Sequence, residues 1–112
     1  MKVLLENIVE ISDKLPQIKK CEVSVGDCIF VKTKNSTYRI KADINGNYFV
    51  SGGWFEKNGF KNYRTKINGC TWGGSVIKTD VVAACGLSME FGNRLKTSRI
   101  EKIFVLPSCC VN

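Results

Sequence analysis

The residues in this chain best suited to do chemistry are cations and aromatic rings that alternate between positions 32 and 66. Eight lysines and arginines stand against two carboxylates there, so the stretch carries +6 of the chain's net charge of +7. Seven of the eleven aromatic residues lie in the same stretch. Cations attract phosphate and ring faces stack on bases, so this composition is typical of a nucleic-acid-binding or anion-binding surface.

The two kinds of side chain would have separate roles on a nucleic acid. The cations would follow the phosphate backbone, and binding would weaken as salt rises because each contact releases counterions. These candidate anion-binding residues are Lys32, Lys34, Arg39, Lys41, Lys61, Arg64 and Lys66. The candidate stacking residues are Trp54, Phe60, Tyr63 and Trp72. The same composition also fits a solvated outer face over an aromatic core.

A second basic segment adds further candidates. Arg94, Lys96 and Arg99 follow a predicted Gly-Asn turn and are interspersed with the hydroxyls of Thr97 and Ser98. Turn amides, hydroxyls and guanidinium groups can together hold a phosphate, so these three cations are included among the anion-binding residues. Alternatively, the hydroxyls satisfy the local backbone and the segment is a basic strand end.

Two glycine pairs, Gly52-Gly53 and Gly73-Gly74, each lie beside a tryptophan. Glycine next to a flat indole could leave space for a planar anionic ligand such as a nucleotide. Glycine inside a strand also marks bulges that curve a sheet, so a structural role is the alternative.

Composition argues against catalysis and against bound metal. The chain has no histidine, which excludes Ser-His-Asp and Cys-His centres and imidazole metal sites. No phosphate-binding or dinucleotide-binding glycine motif is present. The six cysteines lack the paired spacing of a zinc ribbon. The sequence therefore predicts a protein that is not an enzyme and has no cofactor and no metal site.

The start of the chain bears on localisation and on the state of the thiols. Glu6 and Glu10 interrupt the apolar residues at the N-terminus, so no signal peptide is expected and the predicted location is cytoplasmic. In that location we expect the cysteines to stay reduced and to pack as small apolar residues. The adjacent Cys109-Cys110 pair falls in a predicted tail, residues 108–112, where exposed thiols could oxidise or bind a soft metal.

Hydrophobic periodicity predicts one helix followed by many short strands. Leu4, Ile8, Ile11 and Leu15 form one apolar stripe over residues 2–15, and Pro16 ends the helix. Beyond it the period changes to two, and three Asn-Gly turns at 45–46, 58–59 and 68–69 are typical of a β-meander. The predicted strands span residues 21–25, 28–33, 37–44, 48–55, 64–67, 75–84, 87–91 and 95–106.

These elements predict a single, mainly β domain over residues 1–112, α+β by element count. An N-terminal amphipathic helix (residues 1–16) would cover a small antiparallel β-meander (residues 20–107) that forms a sandwich or a partly open barrel. Strand 37–44 has the clearest alternation, with Tyr38, Ile40, Ala42 and Ile44 expected on the inner face.

Three classes of function fit these observations. The leading hypothesis is a non-catalytic basic module that binds nucleic acid with low sequence specificity. The second is a protein-binding inhibitor or accessory factor that docks on an acidic partner, steered by its charge. The third is a binder of a small anionic ligand such as a nucleotide. A membrane partner is not expected, because no run approaches the roughly 18 apolar residues of a membrane span.

Overall fold

The protein's structure is a computed structural model that describes residues 17–72 and 76–108. The predicted N-terminal helix, the Gly73-Gly74 pair and the Cys109-Cys110 pair lie outside the described residues. Within them the chain is mainly β, as predicted, and its strands pair antiparallel.

The described residues form ten strands, one short α-helix and two 3₁₀ turns. The helix α1 (Gly53–Lys57) directly follows the fourth strand, and the 3₁₀ turns are Lys20–Glu22 and Ile44–Gly46. The strands are β1 (Gln17–Lys19), β2 (Cys28–Thr33), β3 (Thr37–Ala42), β4 (Tyr48–Gly52), β5 (Tyr63–Thr65), β6 (Ile67–Trp72), β7 (Val76–Lys78), β8 (Val81–Ala84), β9 (Ser88–Phe91) and β10 (Lys96–Leu106).

Eight strands form one sheet in the order β5-β4-β3-β2-β10-β9-β6-β7, and β1 pairs with β8 in a separate ribbon. The predicted meander is correct for β2 to β5, where neighbours in the chain are neighbours in the sheet. Further along the chain only the pairs β6–β7 and β9–β10 are neighbours in both chain and sheet among the described strands. The meander is interrupted because β10 lies between β2 and β9 and brings distant parts of the chain together at the centre. Periodicity indicates where a strand lies but not which strand it pairs with.

The large sheet curls back on itself. Only Lys66 separates β5 from β6, although the two strands are six places apart in the sheet order. Because one residue spans at most about 3.6 Å, the edge formed by β5 must return close to β6. β5 and β7 remain as the two edges of the sheet, so the described strands form no closed barrel.

Strand β3 shows how alternation builds the interior. Tyr38, Ile40 and Ala42 are buried and alternate with exposed residues, as the sequence predicts. The strand ends at Ala42, however, and the side chain of Ile44 is 54% exposed in a 3₁₀ turn. The expectation that Ile44 lies on the inner face is therefore wrong. Asn45 adopts φ +59° and turns the chain before the alternation can continue.

The predicted strand over residues 48–55 ends early, at Gly52. Gly52 has φ +93° and Gly53 has φ +49°, conformations that glycine adopts without steric cost. They turn the chain into α1, which places Phe55 in the interior with no exposed surface. The aromatic residue that follows the glycine pair thus fills the core from a helix rather than from a strand.

Two predicted boundaries around β6 and β7 also differ. Asn68-Gly69 is not a turn but lies inside β6, where a Cβ at Gly69 would collide with the carbonyl of Lys78 in β7. Gly69 therefore allows β6 and β7 to approach each other closely and does not reverse the chain. The predicted strand over 75–84 is divided at Thr79-Asp80 into β7 and β8, which belong to different sheets.

The predicted strand over residues 21–25 is absent from the described structure, where a 3₁₀ turn and irregular chain replace it. Glu22 accepts a hydrogen bond from the Lys19 amide (2.9 Å), and Asp27 accepts one from the Ser24 amide (2.8 Å). Acidic side chains that bond nearby backbone in this way compete with strand pairing.

The interior combines aliphatic side chains with an inner ring cluster of Tyr38, Phe55, Tyr63 and Phe91. The ring centroid of Phe55 lies 6.4 Å from that of Tyr38, 5.2 Å from Tyr63 and 5.0 Å from Phe91. Through Phe55, α1 closes one end of the curled sheet. Strand β8 is buried along its whole length and packs against β6, β9 and β10.

Candidate functional site

Cations and aromatic rings share the outer face of strands β10, β2, β3 and β4. Residues directly opposite one another on antiparallel strands point to the same side of a sheet. Phe104 lies opposite Phe30, and Phe30 lies opposite Arg39, so a ring, a ring and a guanidinium form one row. We call this surface the basic–aromatic face; its residues are Phe30, Lys32, Arg39, Lys41, Phe49, Lys102 and Phe104.

The neighbouring rows add charge on both sides of that central row. Lys102 lies opposite Lys32 on one side, and Lys41 lies opposite Phe49 on the other. All four cations of the face are exposed, whereas its three rings are half-buried. A half-buried ring is held in place by its neighbours and still presents part of its surface, which is the arrangement that a stacking platform requires.

A groove of about 520 Å³ runs between this face and the segment that contains α1. Phe30 and Arg39 line it from the sheet, and Glu56, Phe60 and Lys61 line it from α1 and the loop that follows. We call it the side groove. It joins the central row of the basic–aromatic face to two of the residues that the sequence singled out, Phe60 and Lys61.

The predicted stacking residues occupy different environments. Trp54 and Phe60 are 39% and 40% exposed, and their rings stack on each other at 5.9 Å with an interplanar angle of 20°. Tyr63, which the sequence also suggested as an exposed ring, packs inward against Phe55 as part of the inner ring cluster. Trp72 ends β6, and its side chain lies outside the part of the structure that is described.

The structure brings some of the predicted cations together. Lys32, Arg39 and Lys41 lie on the basic–aromatic face itself. Lys34 follows β2, and its amide donates a hydrogen bond to the Arg99 carbonyl (3.0 Å), so these two residues continue the positive charge beyond Lys32. The basic stretch of residues 32–66 and the second basic segment, Arg94 to Arg99, therefore meet where β2 ends beside β10.

Other predicted cations are engaged or lie elsewhere. Arg64 lies opposite Phe49 and so borders the basic–aromatic face, but it donates to the carboxylate of Asp43 at 3.1 Å, which offsets its charge. Lys66 lies at the crossing from β5 to β6, away from the face, and its ammonium group donates to the Asn45 carbonyl at 3.2 Å.

The segment from Arg94 to Arg99 has several of its polar groups engaged within the protein. Arg94 occupies the β9–β10 turn with φ +68°, and Lys96 lies 3.9 Å from the carboxylate of Glu90. The Thr97 hydroxyl donates to the Ser98 carbonyl (2.7 Å) and accepts from the Met89 amide (3.1 Å). The hydroxyl is thus used by local backbone, which is the alternative that the sequence left open.

Four residues of the face were not among the sequence candidates: Phe30, Phe49, Lys102 and Phe104. A period of two already places Phe30 with Lys32, and Lys102 with Phe104, on the same side of their strands. For Lys102 and Phe104 the missing information was that β10 pairs with β2, a contact between segments about 70 residues apart. Phe30 and Phe49 join the face through the local β2–β3 and β3–β4 hairpins.

The glycine pair at the end of β4 is packed against protein rather than open to a ligand. A Cβ at Gly53 would collide with the ring of Tyr38, and one at Gly52 would collide with the Thr37 carbonyl. Burial raises the pKa of Tyr38, and a hydrogen bond with the Trp54 backbone opposes that rise. The planar space expected beside Gly53 is therefore occupied by the protein's own ring, although the side groove borders Gly52.

The four described cysteines differ in burial. Cys28 and Cys70 are buried, Cys85 is half-buried, and Cys21 is exposed. Loss of hydration raises the pKa of Cys70 to about 11. Residues 17–72 and 76–108 contain no cluster of three or more Cys, Asp or Glu side chains that could hold a metal ion. Among these residues, no helix has the length and apolar character needed to cross a membrane.

Comparison with protein-family models gives no match for this chain, and comparisons with curated proteins and with solved structures give no significant match either.

Proposed function

We propose that the protein is a non-catalytic module that binds single-stranded nucleic acid across the basic–aromatic face with low sequence specificity. The observation that supports this proposal is the strand register that aligns Phe104, Phe30 and Arg39 in one row. Sheet surfaces that bind RNA combine stacking rings with cations that contact phosphates. The residues of this face offer the same two interactions side by side.

A single strand fits the face better than a duplex does. Rings can stack only on bases whose faces are free, and a duplex keeps those faces covered. The exposed stacked pair of Trp54 and Phe60, beside the side groove, would contact further bases of the same strand. Stacking and phosphate contacts discriminate little between bases, so weak sequence preference is expected.

The four cations of the face are available for phosphates. Lys32 lies 4.0 Å from the carboxylate of Glu101, and both side chains are at least half exposed. Such a surface ion pair contributes little. If all four cations contact phosphates, the logarithm of the binding constant should fall with the logarithm of salt concentration with a slope of about −3.

The test measures fluorescence anisotropy of a labelled mixed-sequence oligonucleotide, as single-stranded DNA, single-stranded RNA and duplex DNA, over a range of salt. The variant is Arg39→Gln/Lys41→Gln. Two lost phosphate contacts should weaken single-strand binding about 25-fold near 0.1 M salt and make the slope shallower by about 1.4.

The matched control is Lys19→Gln/Lys78→Gln, which removes the same charge from β1 and β7, away from the face. It should weaken binding much less than the Arg39/Lys41 variant. Equal losses in the two variants would mean that net charge alone attracts the strand. Equal affinity for duplex and single strand would exclude stacking as the basis of binding.

The side groove favours one second candidate, a binder of a small anionic ligand such as a nucleotide. Its volume of about 520 Å³ suits a small molecule, and Arg39 and Lys61 line it. If a nucleoside monophosphate protects the protein against heat as strongly as the oligonucleotide does, this candidate replaces the first. Docking on an acidic protein stays a third proposal, which co-purification that survives nuclease treatment would favour.

A further inference from the structure

The end of the curled sheet opposite α1 contains a second and larger cavity, of about 830 Å³. Tyr48 begins β4 and lines this cavity, whereas α1 follows the other end of the same strand. The cavity also borders the crossing at Lys66 and the segment from Lys20 to Val25. We call it the end cavity; the mouth of a curled β-sheet is a common place for a ligand.

Two lysines contribute positive charge to the lining of the end cavity. Lys20 and Lys66 both line it. Burial lowers the pKa of Lys20; Asp80 opposes that shift, and the charge of Lys66 adds to it. Lys66 donates a hydrogen bond to the Asn45 carbonyl at 3.2 Å, and an ammonium group has three N–H donors. An anion between the two lysines would relieve their mutual repulsion.

Two carboxylates line the same cavity, but each already has a partner. Asp43 accepts a hydrogen bond from Arg64 at 3.1 Å. Glu90 accepts one from the side-chain amide of Asn68 at 2.7 Å and lies 3.9 Å from the ammonium group of Lys96. Their charges are thus partly offset within the protein, and the two lysines are the groups best placed to meet the charge of a ligand.

Apolar side chains form another part of the lining. Val25 and Ile77 line the cavity and are 59% and 40% exposed, which is high for aliphatic residues of this size. Val23 and the edge of Tyr48 extend the apolar surface. Apolar walls around a few convergent polar groups are the usual composition of a small-molecule site.

We propose that the end cavity binds a small organic anion with an apolar body. Its charged group would contact Lys20 and Lys66, and its body would pack on Val25 and Ile77. This site is separate from the basic–aromatic face, so it stands or falls independently of nucleic-acid binding.

The probe is naphthalene-1-carboxylate, with naphthalene-1-methanol as the neutral control of the same shape. Titration is followed by two-dimensional ¹H–¹⁵N NMR of the full chain. Saturable shifts should centre on the amides of Lys20, Val25 and Ile77, and the neutral alcohol should bind about tenfold more weakly. Equal binding of acid and alcohol, or shifts spread over other regions, would overturn the proposal.

The variant Lys20→Gln/Lys66→Gln removes both charges and should raise the dissociation constant of the carboxylate about tenfold. It should leave that of the alcohol unchanged, as should the control Lys19→Gln/Lys34→Gln for both probes. The same spectra show whether each variant is folded. Unchanged carboxylate affinity in a folded Lys20/Lys66 variant would refute the site. That variant should lose no more oligonucleotide affinity than the Lys19→Gln/Lys78→Gln control does.

Discussion

The inner ring cluster and the basic–aromatic face are built from the same strands, yet they have opposite environments. Tyr38 and Arg39 are neighbours in β3; the first is 5% exposed and packs on Phe55 and Phe91, and the second is exposed on the outer face. Aromatic residues therefore have two roles in this molecule. Rings on the inner side stabilise the fold, and rings on the outer side are available to a ligand, so strand parity predicts what each substitution should change.

The largest expected difference between inner and outer rings is at Phe55. Phe55→Ala should lower the free energy of unfolding by about 3–5 kcal/mol, because it leaves a cavity among the rings of Tyr38, Trp54, Tyr63 and Phe91. Phe104→Ala, on the outer face, should lower the free energy of unfolding clearly less, because the ring of Phe104 is only half-buried. Urea denaturation measures both variants. Similar losses at the two positions would mean that the two sets of rings do not differ in role.

The burial of Cys70 gives a second test of the interior. Its pKa rises from the ordinary value of 9.0 to about 11 in the folded protein. The folded state therefore binds the thiol proton more tightly than the unfolded state, and the stability due to this proton is complete below pH 9 and is lost between about pH 9 and pH 11. The expected loss by pH 11 is about 2 kcal/mol.

The control for this effect is the Cys70→Ala variant. Its free energy of unfolding, measured by urea denaturation, should fall less steeply between pH 9 and pH 11 than that of the wild type. Burial also raises the pKa values of Tyr38 and Tyr48, so both proteins should still lose some stability at high pH. Parallel curves for the wild type and the alanine variant would show that Cys70 does not titrate as its burial implies.

The contribution of the outer rings to binding can be tested with substitutions that preserve apolar packing on the sheet. Phe30→Leu/Phe104→Leu keeps apolar volume but removes both ring faces, and single-strand affinity should fall at least about fivefold. The salt slope should stay unchanged because no cation is lost, in contrast to Arg39→Gln/Lys41→Gln. Anisotropy titrations at several salt concentrations separate the two effects. If the leucine variant binds the single strand as tightly as the wild type, the rings do not contribute to binding and the face acts through electrostatic attraction alone.

The smallest expected effect concerns the one carboxylate of the side groove. Glu56→Gln removes a negative charge that faces the same groove as Arg39 and Lys61, so single-strand affinity should rise about two- to threefold at low salt. Glu22→Gln, in the 3₁₀ turn before β2, is the matched control and should change affinity less. An equal rise in both variants would indicate a response to net charge rather than to the groove.

The sequence predicted local features well where alternation is regular. The inner face of β3 and the whole of β2 follow directly from period-two patterns and short turns. The β4-to-α1 turn was not predicted, because Gly52 and Gly53 fit both a strand bulge and a helix entry until Tyr38 and Thr37 are placed beside them.

The candidate site was predicted only in part, for a related reason. Lys32, Arg39 and Lys41 could be grouped from one hairpin, whose partners are close in sequence. Phe104 and Lys102 could not, because their place depends on pairing between β10 and β2. Long-range pairing is a property of the folded sheet, and no local pattern reports it.

The central position of β10 has a consequence for synthesis. β2 to β5 can pair hairpin by hairpin as the ribosome releases them, since each contact is local. Residues 28–33 nevertheless wait for residues 100–106 before they acquire their second neighbour. Until then the edge formed by β2 in the nascent meander stays unpaired, and an unpaired edge strand can pair with another chain.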